Sequence, residues 1–266
     1  MTKPTSPESA SVAPRSEDDV VLCEKVDRIA TITLNRPARL NAINRKLIEQ
    51  LHAAIGDCMD DDDVASIILT GAGRAFCAGD DLKDMPDEFV LDEHFGETVD
   101  ILQDISRLLV LGPKPSVAAI RGWAVGGGLS WAINCDELVF ADNVVAFFSE
   151  VGLGLSVSGG VTYLLPAAIG RMRARSLLMS GRRLKSQEAL EYGLAMYVAS
   201  DADLDAVALE RAKELARLPA NALGELKRSL NSLERNALEE ALSNEASALK
   251  LLMHDMATSK AWPSVR

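Results

Sequence analysis

Trp123-Ala124-Val125-Gly126-Gly127-Gly128-Leu129-Ser130-Trp131-Ala132-Ile133-Asn134-Cys135-Asp136 is the stretch around which the chain is organised. Three consecutive glycines make a tight turn, and the residues after them read as a helix that begins at once. Without Cβ atoms, the backbone N–H groups of such a turn can come close to a ligand. The first N–H groups of a helix lack internal partners and lie at the positive end of its dipole, so this start suits negative charge, whether bound or developing in a reaction. A glycine turn can equally serve close helix–sheet packing, and the stretch by itself leaves both readings open.

On the N-terminal side, Val20–Lys25 and Ile29–Leu34 are β-branched and apolar around Val26-Asp27-Arg28, which predicts a hairpin. A helix is expected from about Asn44, where Leu47, Ile48, Leu51, Ala54, Ile55, Cys58 and Met59 share one face. Ile67–Thr70 and Ser116–Ile120 read as strands and residues 97–111 as a helix, whereas residues 84–96 show no clean period and suggest a mobile loop. After the glycine helix, residues 137–140 and 144–147 read as two more strands. Strand, loop and helix thus alternate through residues 20–165, an α/β pattern with crossover helices. Beyond residue 166 the chain is expected to be wholly helical, over about 172–180, 186–191 behind a Ser186 cap, 203–217 and 220–255. The division expected is a disordered tail over residues 1–19, a core over 20–200 and a helical C-terminal region over 201–266.

Composition narrows the function. The 266 residues are 48% hydrophobic and 25% charged, ordinary for a soluble globular protein. No apolar run approaches a membrane span. The four cysteines lack Cys-x-x-Cys spacing and only three histidines exist (His52, His94 and His254), which argues against a zinc site or a disulfide framework and fits a reducing cytoplasm. A net charge of −11 disfavours nucleic acid but not a small anion, which needs only local cations. Gly71-x-Gly73 and Gly152-x-Gly154 lack the third glycine of a dinucleotide loop, and neither Ser130 nor Ser156 lies in a nucleophile elbow.

Glu150 is the acid that invites a chemical reading. It stands in Ala146-Phe147-Phe148-Ser149-Glu150-Val151-Gly152-Leu153-Gly154, between an apolar strand and a glycine-rich loop. A carboxylate hemmed by aromatic and small residues loses solvation, which raises its pKa towards the range useful for proton transfer. The alternative is a solvated glutamate at a strand end.

From about Val20 to about Lys250 the chain resembles the crotonase (enoyl-CoA hydratase/isomerase) superfamily. The resemblance rests on Asn35-Arg36-Pro37 with Asn41-Ala42, on Phe76-Cys77-Ala78-Gly79-Asp80-Asp81-Leu82-Lys83, on Gly122–Gly128 with Asp136, and on Gly181-Arg182, Glu188-Ala189 and Gly193-Leu194. It implies a spiral of β-β-α turns with C-terminal helices used in trimerisation, as a homotrimer or a dimer of trimers. It also implies an acyl-CoA thioester as the substrate, with coenzyme A arriving as part of that substrate and no separate cofactor. Two backbone N–H groups that hold the thioester oxygen map onto Asp80 and Gly127. The Asp80 carboxylate would then have to point away or be neutralised. Ala78, Asp80, Asp81, Leu82, Lys83, Gly127 and the Asn35–Leu40 turn map onto the substrate and CoA surroundings, with Lys83 a candidate phosphate contact.

One departure bears on the reaction. Family hydratases carry two glutamates; the second maps onto Glu150, but the first falls on Ser130. A hydroxyl orients a water or a substrate group and does not act as a carboxylate base near neutral pH. Ordinary hydration is therefore in doubt, while double-bond migration needs only one acid. Three readings follow: isomerisation or hydration of enoyl-CoA with Glu150 as single acid–base group, a specialised hydratase-lyase chemistry using Ser130 with Glu150, or a non-catalytic acyl-CoA-binding protein.

Overall fold

In the computed structural model of the chain, which describes residues 19–84, 90–91 and 94–260, Asp27 and Arg28 adopt φ angles of 50° and 65°. Two left-handed residues in succession twist a two-residue turn in the sense that paired strands need. β1 (Val21–Val26) accordingly folds back antiparallel on β2 (Ile29–Leu34). Seven further strands follow among the described residues: β3 (Ser66–Gly71), β4 (Ser116–Ile120), β5 (Trp123–Val125), β6 (Glu137–Ala141), β7 (Val145–Phe147), β8 (Leu184–Lys185) and β9 (Tyr197–Ala199). They form a six-stranded sheet ordered β1-β2-β3-β4-β6-β9 and a smaller one ordered β5-β7-β8. From β2 to β9 the large sheet is parallel, and every residue of β4 is buried, as expected for a sheet covered on both faces.

Two single bridges extend the small sheet, Cys77 to Ala124 and Ile43 to Asp80. Each turn of the chain thus leaves the large sheet, crosses this second layer and enters a helix. Ile43 leads to α1 (Arg45–Asp60), Cys77 and Asp80 precede α2 (Phe95–Leu111), β5 leads to α3 (Gly127–Ile133), and β7 precedes α4 (Val161–Ile169). This is the β-β-α spiral that the resemblance implies. α1 starts where Asn44 Oδ1 accepts from Leu47 N at 3.0 Å, a side-chain cap, and it buries Leu47, Ile48, Leu51, Ile55, Cys58 and Met59.

The region beyond residue 166 corrects three expectations. It holds five helices, α5 (Arg171–Ser180), α6 (Ser186–Tyr192), α7 (Leu204–Ala216), α8 (Ala220–Ser232) and α9 (Arg235–Ser259), but β8 and β9 interrupt them. At two and three residues these strands are too short for a period-2 pattern to stand out. The continuous helix expected over 220–255 is broken between Ser232 and Arg235. Ser186 is buried and does not cap α6; its hydroxyl donates to the Ala141 carbonyl at 2.6 Å and accepts from Val144 N at 3.2 Å. The expected tail, apart from Asp19, and residues 85–89 and 92–93 of the expected loop lie outside the described residues.

The C-terminal helices pack on their own core. α7 lies across β3, β4 and β6, while α9 packs against α2 and α4. α8 is pinned by Lys227, a buried ammonium that donates to Leu109 O, Lys114 O and Asp136 Oδ2 at 2.7–2.9 Å. Asp136, which closes the stretch quoted first, also accepts from Ser116 N, so its role is to tie α8 and β4 together. All four cysteines are free.

Candidate active site

The three glycines of the central turn serve different ends. Gly126 has a φ of 55°, and a Cβ there would stand 2.9 Å from Glu150 Oε1. A Cβ on Gly127 would stand 3.0 Å from Ile43 Cδ1 and 3.9 Å from Asp80 Oδ1. On Gly128 it would collide with Cys77 Cβ at 2.4 Å. Gly128 therefore serves packing, and Gly126 makes room for a carboxylate. The packing reading of the turn thus holds at Gly128.

Gly126 N donates to Phe147 O at 3.0 Å and fixes the turn to β7. The Gly127 N–H that follows donates to no protein acceptor among the described residues. The same is true of the Asp80 N–H in the facing loop, although the backbone around it is fully engaged: Ile43 N donates to Gly79 O and Asp81 N to Ile43 O, each at 2.8 Å. Backbone donors this far inside a protein are ordinarily paired. Two free ones on facing loops are a place for an acceptor.

The turn over residues 35–44 holds the Asp80 loop in place. Asn41, at a φ of 57°, is fully buried; its amide nitrogen donates to Ala72, Ala75 and Phe76 carbonyls, and its oxygen accepts from Arg36 N at 2.8 Å. Arg36 donates to Ala42 O and reaches Asp81 Oδ2 at 3.1 Å and Asp84 Oδ2 at 3.4 Å. Asp81 is thus spent on an ion pair, and the Asn-Arg-Pro motif is a clamp.

Between the two loops lies a cavity of about 530 Å³. Its wall includes Ala38, Leu40, Ala42, Ala78, Asp80, Asp81, Leu82, Val125, Gly126, Ser149, Glu150, Leu153 and Leu155. Trp123 and Phe147, edge to face at 6.2 Å, form its aromatic side, with Arg183 over both rings. Three exposed cations, Arg39, Arg74 and Lys83, also line it.

Glu150 follows β7 and is 4% exposed, with Oε2 buried and without a hydrogen-bond partner. Burial pushes its pKa up to about 8, against the pull of its own and Ser149's N–H groups, and the charges of Asp80 and Glu245 add to the rise. Asp80, half-buried, is pushed up to about 6 by desolvation. Among the described residues no group of three or more His, Cys, Asp or Glu is disposed to hold a metal ion.

Residues 24–262 match the family model described as enoyl-CoA hydratase/isomerase. The chain belongs to that family. It is 35% identical over 229 residues to the 1,2-epoxyphenylacetyl-CoA isomerase of Escherichia coli, covering 82% of this chain and 84% of the relative. It is 34% identical to a probable enoyl-CoA hydratase of Mycobacterium tuberculosis, covering 85% and 87%. A solved enoyl-CoA hydratase/isomerase from Mycobacterium paratuberculosis superposes with a TM-score of 0.82 at 30% identity, covering 90% of this chain and 98% of that one. Family membership and the crotonase fold therefore stand as the sequence motifs imply.

Within that family frame, Glu150, Asp80, Ala78, Asp81, Leu82 and Lys83 converge on the one cavity, with Gly127 beside it. Ser130 does not join them. It is 1% exposed, its hydroxyl donates to Gly126 O at 3.3 Å, and its Cβ lies 2.9 Å from where a Cβ on Gly159 would stand. Sequence reasoning missed Arg74, whose only signal is positive charge near a motif, whereas Arg39 lies in the Asn35–Leu40 turn expected around the CoA moiety. It also missed the inward face of Asp80, since no pattern tells which way a loop carboxylate points.

Proposed function

We propose that the chain is an acyl-CoA enzyme that stabilises a thioester enolate between the N–H groups of Asp80 and Gly127, with Glu150 as its acid–base group. The observation that carries this reading is a buried carboxylate, one oxygen of which has no partner, on the same cavity as Asp80 and set against the glycine turn that bears the free Gly127 N–H. A 3-enoyl thioester bound there loses a C2 proton to Glu150, and the electron pair moves to the thioester oxygen, where the two N–H groups meet the developing charge. Glu150 then returns a proton at C4, leaving the double bond between C2 and C3. A carboxylate whose pKa lies near the working pH is suited to both halves of this exchange.

Arg39, Arg74 and Lys83 are placed to meet the phosphates of coenzyme A despite the acidic chain, and coenzyme A enters with the substrate rather than as a cofactor. Ser130, bonded to Gly126 O, is a positioning residue for the turn in this reading. An open cavity beside Glu150 favours catalysis over a binding-only role. Assembly as a homotrimer or a dimer of trimers gains support from Leu226, Leu230 and Leu233, which stand exposed on and just beyond α8. Among the described residues no helix is long and apolar enough to cross a membrane, in keeping with a cytoplasmic setting.

Glu150→Gln tests the assignment. General acid–base catalysis contributes roughly 10²–10⁴-fold, so turnover of 3-enoyl-CoA falls by about that factor while CoA-thioester binding stays within a few-fold. Unchanged turnover removes the mechanism.

A further inference from the structure

The family resemblance gives Asp80 a backbone role only, yet its side chain does not turn away from the cavity. Asp80 lines the 530 Å³ cavity together with Glu150. It also lines a small apolar pocket next to it, walled by Ile48, Phe95, Val99, Leu102 and Met253. Asp80 thus stands at the junction of the two spaces, with Oδ1 on the side of Gly127. The nearest arginine of the clamp, Arg36, is taken by Asp81 and Asp84. Among the described residues the Asp80 oxygens have no hydrogen-bond or ion-pair partner, and the charged groups sharing its two pockets include Glu150 on one side and Arg45 on the other.

The two carboxylates approach consecutive glycines of one turn, Glu150 against Gly126 and Asp80 against Gly127. A pair of acids serves the addition of water across a double bond: one takes a proton from the water and one gives a proton to carbon. Ser130 stands where family hydratases carry the first of their two acids, and it is buried away from the cavity. The site nevertheless contains two carboxylates.

We propose that the Asp80 side chain is a second catalytic group, the base that activates water for addition to C3 of a 2-enoyl thioester, with Glu150 as the acid at C2. Asp80 takes a proton from water as its oxygen bonds to C3. The π electrons move to the thioester oxygen, and as the carbonyl re-forms Glu150 gives its proton to C2. One water is added and one proton passes from Glu150 to Asp80, to be redistributed through solvent before the next turnover. The order of the two pKa values fits these roles, because between about 6 and about 8 Asp80 is ionised and Glu150 protonated. The inference rests on Glu150 working at C2, as in the proposed function.

The test compares the full-length protein with Asp80→Asn, Asp80→Ala and Glu150→Gln, all of which keep the residue-80 N–H. Two rates are read: hydration of a 2-enoyl-CoA, and deuterium exchange at C2 of a saturated acyl-CoA in D₂O. Both Asp80 variants should lose hydration by roughly 10²-fold or more, and should lose less C2 exchange than Glu150→Gln does. Hydration at the parent rate in either variant overturns the proposal, as does no hydration by the parent. Loss of C2 exchange in both Asp80 variants as deep as in Glu150→Gln overturns it too, since the side chain would then serve the whole site. Parent-level exchange in Glu150→Gln instead contradicts the underlying Glu150 reading.

Discussion

Glu150 and Glu245 are both glutamates sunk in the protein, at 4% and 2% exposure, and they do opposite things. Glu245, on α9, accepts from Gly160 N at 2.6 Å, from Thr162 N at 2.8 Å and from the Thr162 hydroxyl at 2.6 Å. It caps the start of α4 from a helix 85 residues away in sequence and fastens the C-terminal region to the core. Glu150 has one oxygen with no partner and faces open space. Burial raises both pKa values, but three donors work against the rise at Glu245. Burial of an acid is therefore no mark of function by itself; what sets Glu150 apart is a partnerless oxygen beside a cavity.

Removing each acid in turn should show that difference. The largest effect is the loss of turnover in Glu150→Gln. Glu245→Ala should instead cost about 2–4 kcal/mol of stability, because it strips the cap from α4 and leaves buried donors unpaired. Thermal unfolding reads that loss at roughly 2–4 °C per kcal/mol, and activity per folded molecule should remain within a few-fold. A Glu245→Ala protein that melts with the parent but turns over slowly would reverse the assignment of roles.

A smaller effect concerns pH. The folded protein holds the Glu150 proton more tightly than the unfolded chain does. The stability this contributes is complete below about 4.5 and is lost as pH rises through about 8. The melting temperature of Glu150→Gln should therefore gain on the parent across that window, and the rate of C2 proton removal by the parent should rise through about 8 as the base ionises. A gap in melting temperature that is constant with pH would place Glu150 in water. The smallest effect belongs to Ser130→Ala, which removes one 3.3 Å bond to Gly126 O and should slow turnover by less than about tenfold. A loss as deep as that of Glu150→Gln would bring Ser130 into the chemistry.

Much of this molecule is legible before the structure is seen, and the legible parts share a cause. Periodic burial exposes α1, α2 and the strands of the large sheet other than β9, since their apolar faces repeat over several residues. Ordered motifs expose the two loops, because Asn41 and Gly126 fill backbone conformations that few residues tolerate. β5, β8 and β9 escape notice because they are two or three residues long and are defined by partners elsewhere in the chain. The break between α8 and α9 carries no glycine or proline to announce it. Glu150 is readable as an acid in apolar company, whereas the satisfaction of Glu245 by Gly160 and Thr162 is a tertiary fact. So is the inward turn of Asp80, which neighbours Asp81 in sequence but shares none of its ion pairing with Arg36.

The central claim is that Glu150 exchanges the C2 proton of a bound thioester with solvent. The most direct measurement is deuterium incorporation at C2 of a saturated acyl-CoA in D₂O, followed by mass spectrometry for the parent and for Glu150→Gln at matched saturation. The parent should label C2 and the variant should label it at least about 10²-fold more slowly. Equal labelling by the two proteins would contradict it.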